Sequence, residues 1–221
     1  MQAFYEYING ARILDVLKDL LTNEDSNIRA KACSALGNMC RHSPYFYDSL
    51  ARHHIINPLI ERCTDPDRRT RKFACFAIGN AAYHNDLLYE ELRKSIPPLA
   101  ALLVSTDEDK TKANAAGALS NLVRNSNKLS EDIVSKGAMQ ALLKLVSECS
   151  VLALDPSRRE AVNESPLKIA LFSLGKMCSH TPCLQFLRSS ELLSVITRLR
   201  QSQEPIICNY ASNIMRKVSD T

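Results

Sequence analysis

The sequence predicts an all-α, right-handed superhelical solenoid of about four and a half repeats, and three observations carry that prediction. The first is a recurring phrase: ALGN at 35–38, AIGN at 77–80, ALSN at 118–121 and SLGK at 173–176, with a weaker copy in NYASNIMRK near the C-terminus. The second is its spacing. Asn38, Asn80 and Asn121 stand 42 and 41 residues apart, Lys176 follows after 55 and Arg216 after a further 40. The third is an apolar pattern of helical period around every copy, with no strand-period segment competing.

A period of roughly 40–47 residues built from helices is that of armadillo or HEAT arrays. The long interval then marks one unit enlarged by about 14 residues. The chain divides as a single domain, 1–221, into repeats near 1–43, 44–85, 86–126, 127–181 and 182–221, with an insertion near 150–163 in the fourth.

Each unit opens with a short amphipathic segment, as in DLLYEELRKS (86–95) and NKLSEDIVSK (127–136). A second helix follows in five versions: ILDVLKDLL, INPLIERC, IPPLAALLV, MQALLKLV and ELLSVITRL. Pro58, Pro97 and Pro98 and the Asp-Pro pairs at 65–66 and 155–156 fall near starts and turns, where a missing amide donor is tolerated. The third and longest helix begins near a polar turn such as TDPDRR or STDEDK and carries the phrase.

On that third helix Ala32, Cys33 and Leu36 share one apolar face with Met39 and Cys40, and so do their counterparts around Asn80, Asn121 and Lys176. The small residue before each marker (Gly37, Gly79, Ser120, Gly175) costs helix propensity, about 1 kcal/mol for Gly against Ala, and close helix approach is the expected compensation. The marker and the residues four before and three after it lie on another stripe. Stacked, these stripes give a polar ladder along one concave surface. The candidate partner-binding groove is therefore Asn38, Arg41, Phe76, Asn80, Tyr83, Asn121, Arg124, Phe172 and Lys176.

With 45% hydrophobic and 24% charged residues and no apolar run of about 20, the chain suits water and no membrane-spanning role. MQAFYEYING lacks the basic-then-apolar order of a secretory signal. The eight cysteines include no C-x-x-C pair and recur at equivalent places, as Cys33 and Cys75 do, which reads as buried free thiols in a reducing cytosol, where the sequon at Asn163 would stay unmodified. A net charge of +4 permits acidic partners, but along the chain the basic residues are interleaved with acids.

His42, His84 and His180 each stand four residues past a marker, too far apart in stacked helices to share a metal, and are read as finishing the third helix. No G-x-S-x-G elbow or H-E-x-x-H pair occurs, and nothing calls for a cofactor or a catalytic residue.

These residues resemble armadillo repeats, whose third helix presents an Asn into the groove. The stretches RKFACFAIGNAAYHNDLLYEELRKSIPPL (71–99), KTKANAAGALSNLVRNSNKLSEDIVSKGAMQALLKL (110–145) and NESPLKIALFSLGKMCSHTPCLQFLRSSEL (163–192) resemble the C-terminal region of the Fused family of serine/threonine kinases. The resemblance implies a non-catalytic fragment, since the chain has no Gly-rich phosphate loop, no H-R-D and no D-F-G. It also implies a regulatory docking role. In plants the family's C-terminal region is implicated in binding kinesin-12 motors at the phragmoplast in cytokinesis, so a kinesin-12-type motor and a cytoplasmic, cytoskeletal setting are the implied partner and place.

Nuclear-import adaptors offer another armadillo reading, but they hold basic peptides through a Trp four residues before each Asn. Here those positions are Ser34, Phe76, Gly117 and Phe172, and the chain has no Trp. An acidic or mixed amphipathic helix fits Arg41, Arg124 and Lys176 better. A structural spacer, a self-association module and a nucleic-acid-binding helical repeat are the alternatives. Two local expectations complete the reading. The insertion, with its VLAL run and Arg158 and Arg159, joins the second and third helices of the fourth repeat as a loop; and most of a first helix is missing from the first repeat, whose Phe4, Tyr5, Tyr7 and Ile8 would lie against a preceding helix pair.

Overall fold

A computed structural model describes residues 2–10, 12–155 and 166–220. Among them fifteen α-helices follow one another without a strand and fall into five triplets. The first helices are α1 (Gln2–Gly10), α4 (Tyr47–Arg52), α7 (Tyr89–Leu92), α10 (Ser130–Ser135) and α13 (Thr181–Ser189). The second helices are α2 (Ile13–Leu20), α5 (Ile56–Glu61), α8 (Ile96–Leu103), α11 (Ala138–Ala153) and α14 (Leu193–Leu199). The third are α3 (Ser26–Arg41), α6 (Arg68–Ala81), α9 (Asp109–Asn121), α12 (Leu167–Met177) and α15 (Pro205–Ser219).

The third helices start where the polar turns place them. Asp25 accepts from the Asn27 amide at 2.7 Å and Asp67 from the Thr70 amide at 2.8 Å, so two turns 42 residues apart satisfy orphan donors in the same way. Each third helix packs on the second helix of its own repeat and on the third helix of the next, in the series α3, α6, α9, α12, α15. The apolar stripe read around each marker is the core: Ala32, Cys33, Leu36, Ala74, Cys75, Ile78, Ala115, Leu119, Ala170 and Leu174 are all buried, with Met39 the half-buried exception.

Close approach accounts for Gly37, whereas a methyl at Gly79 would meet its neighbour at ordinary contact distance. A Cβ at Gly37 would stand 2.5 Å from the Phe76 ring and 3.2 Å from the Ala77 Cα, and one at Gly79 3.4 Å from the Ala118 Cα. Around Gly117 nothing lies within 4 Å.

A set of ion pairs that sequence reading passed over ties the turns of successive repeats together. The Arg29 guanidinium donates twice to Asp65, from Nε and Nη2 at 2.8 Å each, while its Nη1 donates to the carbonyls of Asn23 and Glu24. Forty-two residues on, Arg71 repeats the arrangement with Asp107, at 2.9 and 2.7 Å, and with the carbonyls of Asp65 and Pro66. The Asp65 side chain also accepts from Arg62 and from the Asp67 amide. Burial would raise the Asp65 carboxyl, but these hydrogen bonds and the charges of Arg29 and Arg62 outweigh it and hold the group below its ordinary 3.8.

Three local expectations change. The first repeat has a nine-residue first helix, α1, where most of one was expected to be missing. Tyr5 and Ile8 turn inward: the Tyr5 ring sits 5.4 Å from Tyr45 and 5.3 Å from Phe46, and Ile8 packs on the core, so of Tyr5, Tyr7 and Ile8 it is Tyr7 that stands out in solvent. The Phe4 side chain lies outside the described residues. The insertion begins as helix, because 147–153 prolong α11 to 16 residues instead of opening a loop. Arg158, Arg159 and Asn163 lie outside the described residues.

None of the eight cysteines is in a disulfide; six are buried, with Cys149 and Cys208 half-buried. Burial pushes the thiols of Cys33, Cys40 and Cys178 up to about 12, which makes them packing groups and not nucleophiles.

Candidate functional site

Charge, interleaved along the chain, is sorted by helix class in space. Arg and Lys number three in α3, four in α6 and two each in α9, α12 and α15, against Asp109 as the one acid in these five helices. The other described acids sit in turns and on first and second helices, and the turn residues Asp65, Asp107, Glu108 and Glu204 take up Arg29, Arg71, Lys72 and Lys168. Arg41, Arg124, Lys176, Arg216 and Lys217 have no acidic partner among the described residues. The third-helix face is thus cationic although the linear pattern hid it.

The predicted stripe splits into two kinds of residue. Asn80 and Asn121 are half-buried and turn back along the array: Asn80 Nδ2 donates to the Gly37 carbonyl and Asn121 Nδ2 to the Gly79 carbonyl, each at 2.9 Å. Their amide donors are consumed between repeats. Phe76 is half-buried too, its ring seated over Gly37. Asn38 and Arg41, on and at the end of α3, are exposed.

The remaining four make exposed cation–aromatic pairs. The Arg124 guanidinium stands 4.1 Å over the Tyr83 ring, joining the third repeat to the second, and the Lys176 amine lies 5.4 Å from the Phe172 ring within α12. Tyr83 and Phe172 remain 39% and 42% exposed, enough to offer a ring face to a ligand.

In the last repeat the structural counterpart of Asn80 and Asn121 is Lys217 and not Arg216, the marker expected from spacing. Lys217 Nζ donates to the Gly175 carbonyl at 2.7 Å and to Ser179 Oγ at 2.6 Å. Between α12 and α15 the surface sinks into a pocket of about 250 Å³ lined by Leu171, Phe172, Tyr210, Lys176, Arg216 and Lys217. The Phe172 and Tyr210 rings are 5.7 Å apart, and Ile169 and Ile206, 43% exposed each, extend the apolar surface.

Sequence reading also missed two tyrosines that hold the ends of the third helices. Tyr47 OH donates to the Asn80 carbonyl and Tyr89 OH to the Asn121 carbonyl, while each hydroxyl accepts an amide from the next turn, His84 or Asn125. Their 42-residue spacing in YFYDSL and LLYEEL was the available signal. The histidines divide: His42 is the C-cap of α3, His84 Nε2 reaches the Arg41 carbonyl of the previous repeat at 3.3 Å, and His180 occupies the N-cap position of α13, beyond the helix it was read as finishing. Among the described residues no His, Cys, Asp and Glu group could hold a metal, and no helix is long and apolar enough to cross a membrane.

The armadillo/beta-catenin-like repeat model matches residues 5–41 and 86–124. Over 219 residues the chain is 70% identical to the serine/threonine-protein kinase TIO of Arabidopsis thaliana; that match takes in 99% of this chain and 17% of the kinase's length. Among solved structures, a designed armadillo repeat protein in complex with the peptide (KR)4 superimposes with a TM-score of 0.82 at 21% identity, covering 96% of this chain and 84% of the other. The armadillo repeats only protein from Plasmodium falciparum gives 0.74 at 14% identity, covering 97% and 95%. At these identities the structural matches speak to fold alone.

Proposed function

Because the chain is an armadillo-repeat array closely similar to one stretch of a plant serine/threonine kinase, we propose that it is a non-catalytic docking module that brings a protein partner to such a kinase. The observation that carries this reading is the third-helix face, where cations without acidic partners stand beside the exposed rings of Tyr83 and Phe172. Exposed Arg and aromatic residues in a row are what interface hot spots are made of.

Partner chemistry follows from sign. The designed armadillo protein that shares this fold is in complex with a Lys/Arg peptide. Here the third helices are themselves basic, so the partner offers carboxylates and apolar side chains. By the family resemblance that partner is a kinesin-12-type motor, and the setting is the cytoskeleton of the dividing cell, at the phragmoplast. The test is capture of a kinesin-12 motor on the immobilised chain, compared with the Tyr83→Ala, Arg124→Glu double variant. The reading expects capture by the unmodified chain and its loss in a double variant that still melts cooperatively. Equal capture by both would move docking off this face.

A second reading, self-association, has one observation in its favour: Tyr7, Ile13 and Val16 in the first repeat are 78%, 37% and 54% exposed. Sedimentation over a concentration range separates it, since a docking module alone stays monomeric.

A further inference from the structure

Resting on the docking reading, we propose that the pocket between α12 and α15 is the anchor point of the face, and that it takes one bulky apolar side chain of a peptide whose neighbouring residues are acidic. The shape is built for a single side chain. About 250 Å³ lies between the Phe172 and Tyr210 rings, 5.7 Å apart and tilted at 55°, with buried Leu171 among the lining residues. That space suits a phenylalanine or leucine and is too small for a folded element.

Its rim supplies the charge. Lys176, Arg216 and Lys217 surround the opening, and the lining includes no Asp or Glu. Lys217 is held in place by the Gly175 carbonyl and Ser179 Oγ, so its charge is fixed before a ligand arrives. Lys176 has no acidic partner and stands over Phe172, where it can close on a carboxylate while staying on the ring. A polyanion without apolar groups would satisfy the rim and leave Phe172 and Tyr210 in water; a peptide with both features satisfies both. Elsewhere on the third-helix face the features separate. Around Gly117 nothing lies within 4 Å of where a Cβ would stand, and at Tyr83 one face of the ring is taken by Arg124, leaving no pocket beside it among those described.

The test is fluorescence anisotropy of the 221-residue chain with a short labelled peptide carrying one phenylalanine between runs of glutamate. Three comparison probes are the same peptide with alanine for phenylalanine, the same peptide with glutamine for glutamate, and an oligo-dT of similar charge. The proposal expects the first peptide to bind, each comparison probe to bind at least about tenfold more weakly, and Phe172→Ala and Lys176→Glu each to weaken the first peptide by about tenfold or more. Lys144→Glu, the same charge change on the exposed side of α11, leaves binding within about twofold. Binding indifferent to the phenylalanine or to Phe172→Ala overturns the pocket, and so does oligo-dT binding as tightly as the peptide. If the peptide fails while kinesin capture still depends on Tyr83 and Arg124, the pocket is refuted and the docking reading stands. If the peptide binds as expected while capture ignores Tyr83 and Arg124, the docking reading fails and the pocket stands.

Discussion

In α6 and α9 the polar residue that closes the repeated phrase points back along the array, where Asn80 and Asn121 donate to the Gly37 and Gly79 carbonyls. In α12 the same position is Lys176, and its amine stands over Phe172 beside an open pocket. One pattern thus yields two outcomes. The short amides of Asn80 and Asn121 reach the neighbouring helix and staple the repeats. The longer Lys176 stem leaves that contact and presents its charge over the Phe172 ring, although Lys217 in the last repeat still reaches the Gly175 carbonyl. The first three repeats are tied together by the Arg29–Asp65 and Arg71–Asp107 pairs as well, while Phe172 and Lys176 at the C-terminal end stay exposed.

The largest break in that contrast is at Asp65. It is 3% exposed and paired with Arg29, itself 9% exposed, so Asp65→Ala strands a buried guanidinium and is expected to cost about 3–5 kcal/mol by denaturant melting. Lys176→Ala, at the open end, is expected to stay within about 0.5 kcal/mol of the parent. The same carboxylate gives the acid limb its shape. Its folded value is depressed below 3.8, so its contribution is present above pH 3.8 and is lost as pH falls through the folded value. Melting measured from pH 5 down to pH 2 should fall less steeply in Asp65→Asn than in the parent.

Next in size is a pair of glycines. Gly37→Ala drives a methyl against the Phe76 ring and the Ala77 backbone and should cost about 1–3 kcal/mol, whereas Gly117→Ala, with open space around it, should stabilise by up to about 1 kcal/mol through helix propensity. Thermal melts of the two variants decide between them. Smaller again is Asn121→Ala, which leaves the Gly79 carbonyl without its amide donor and is expected to cost about 1 kcal/mol, against no measurable change for Asn38→Ala at an exposed position of α3.

The sequence made the period, the three-helix unit and the buried stripe legible because helical burial repeats every 3.6 residues and leaves its mark on residue type. The nine candidate groove residues all lie on third helices or just past their C-terminal ends. The sequence did not show that Asn80 and Asn121 spend their donors between repeats, since an exposed and a stapling Asn look alike in one dimension. Nor did it show the segregation of charge: Arg71 and Asp107 are 36 residues apart, and the pairing of acids in turns with the early turns of third helices exists only once repeats stack. The shift of the last marker from Arg216 to Lys217 had the same cause, because spacing counts residues and not the direction of a side chain.

The central claim is that partners dock on the cationic third-helix face. The most direct measurement compares two triple variants of equal charge for kinesin-12 capture: Arg124→Glu, Lys176→Glu and Arg216→Glu on that face, and Lys94→Glu, Lys144→Glu and Arg198→Glu at exposed positions off it. With matched melting temperatures, the account expects capture to fall at least about tenfold in the first and to stay within about twofold of the parent in the second. Equal loss in both would mean that net charge alone governs binding, and loss confined to the second would place the docking surface on the other side of the array.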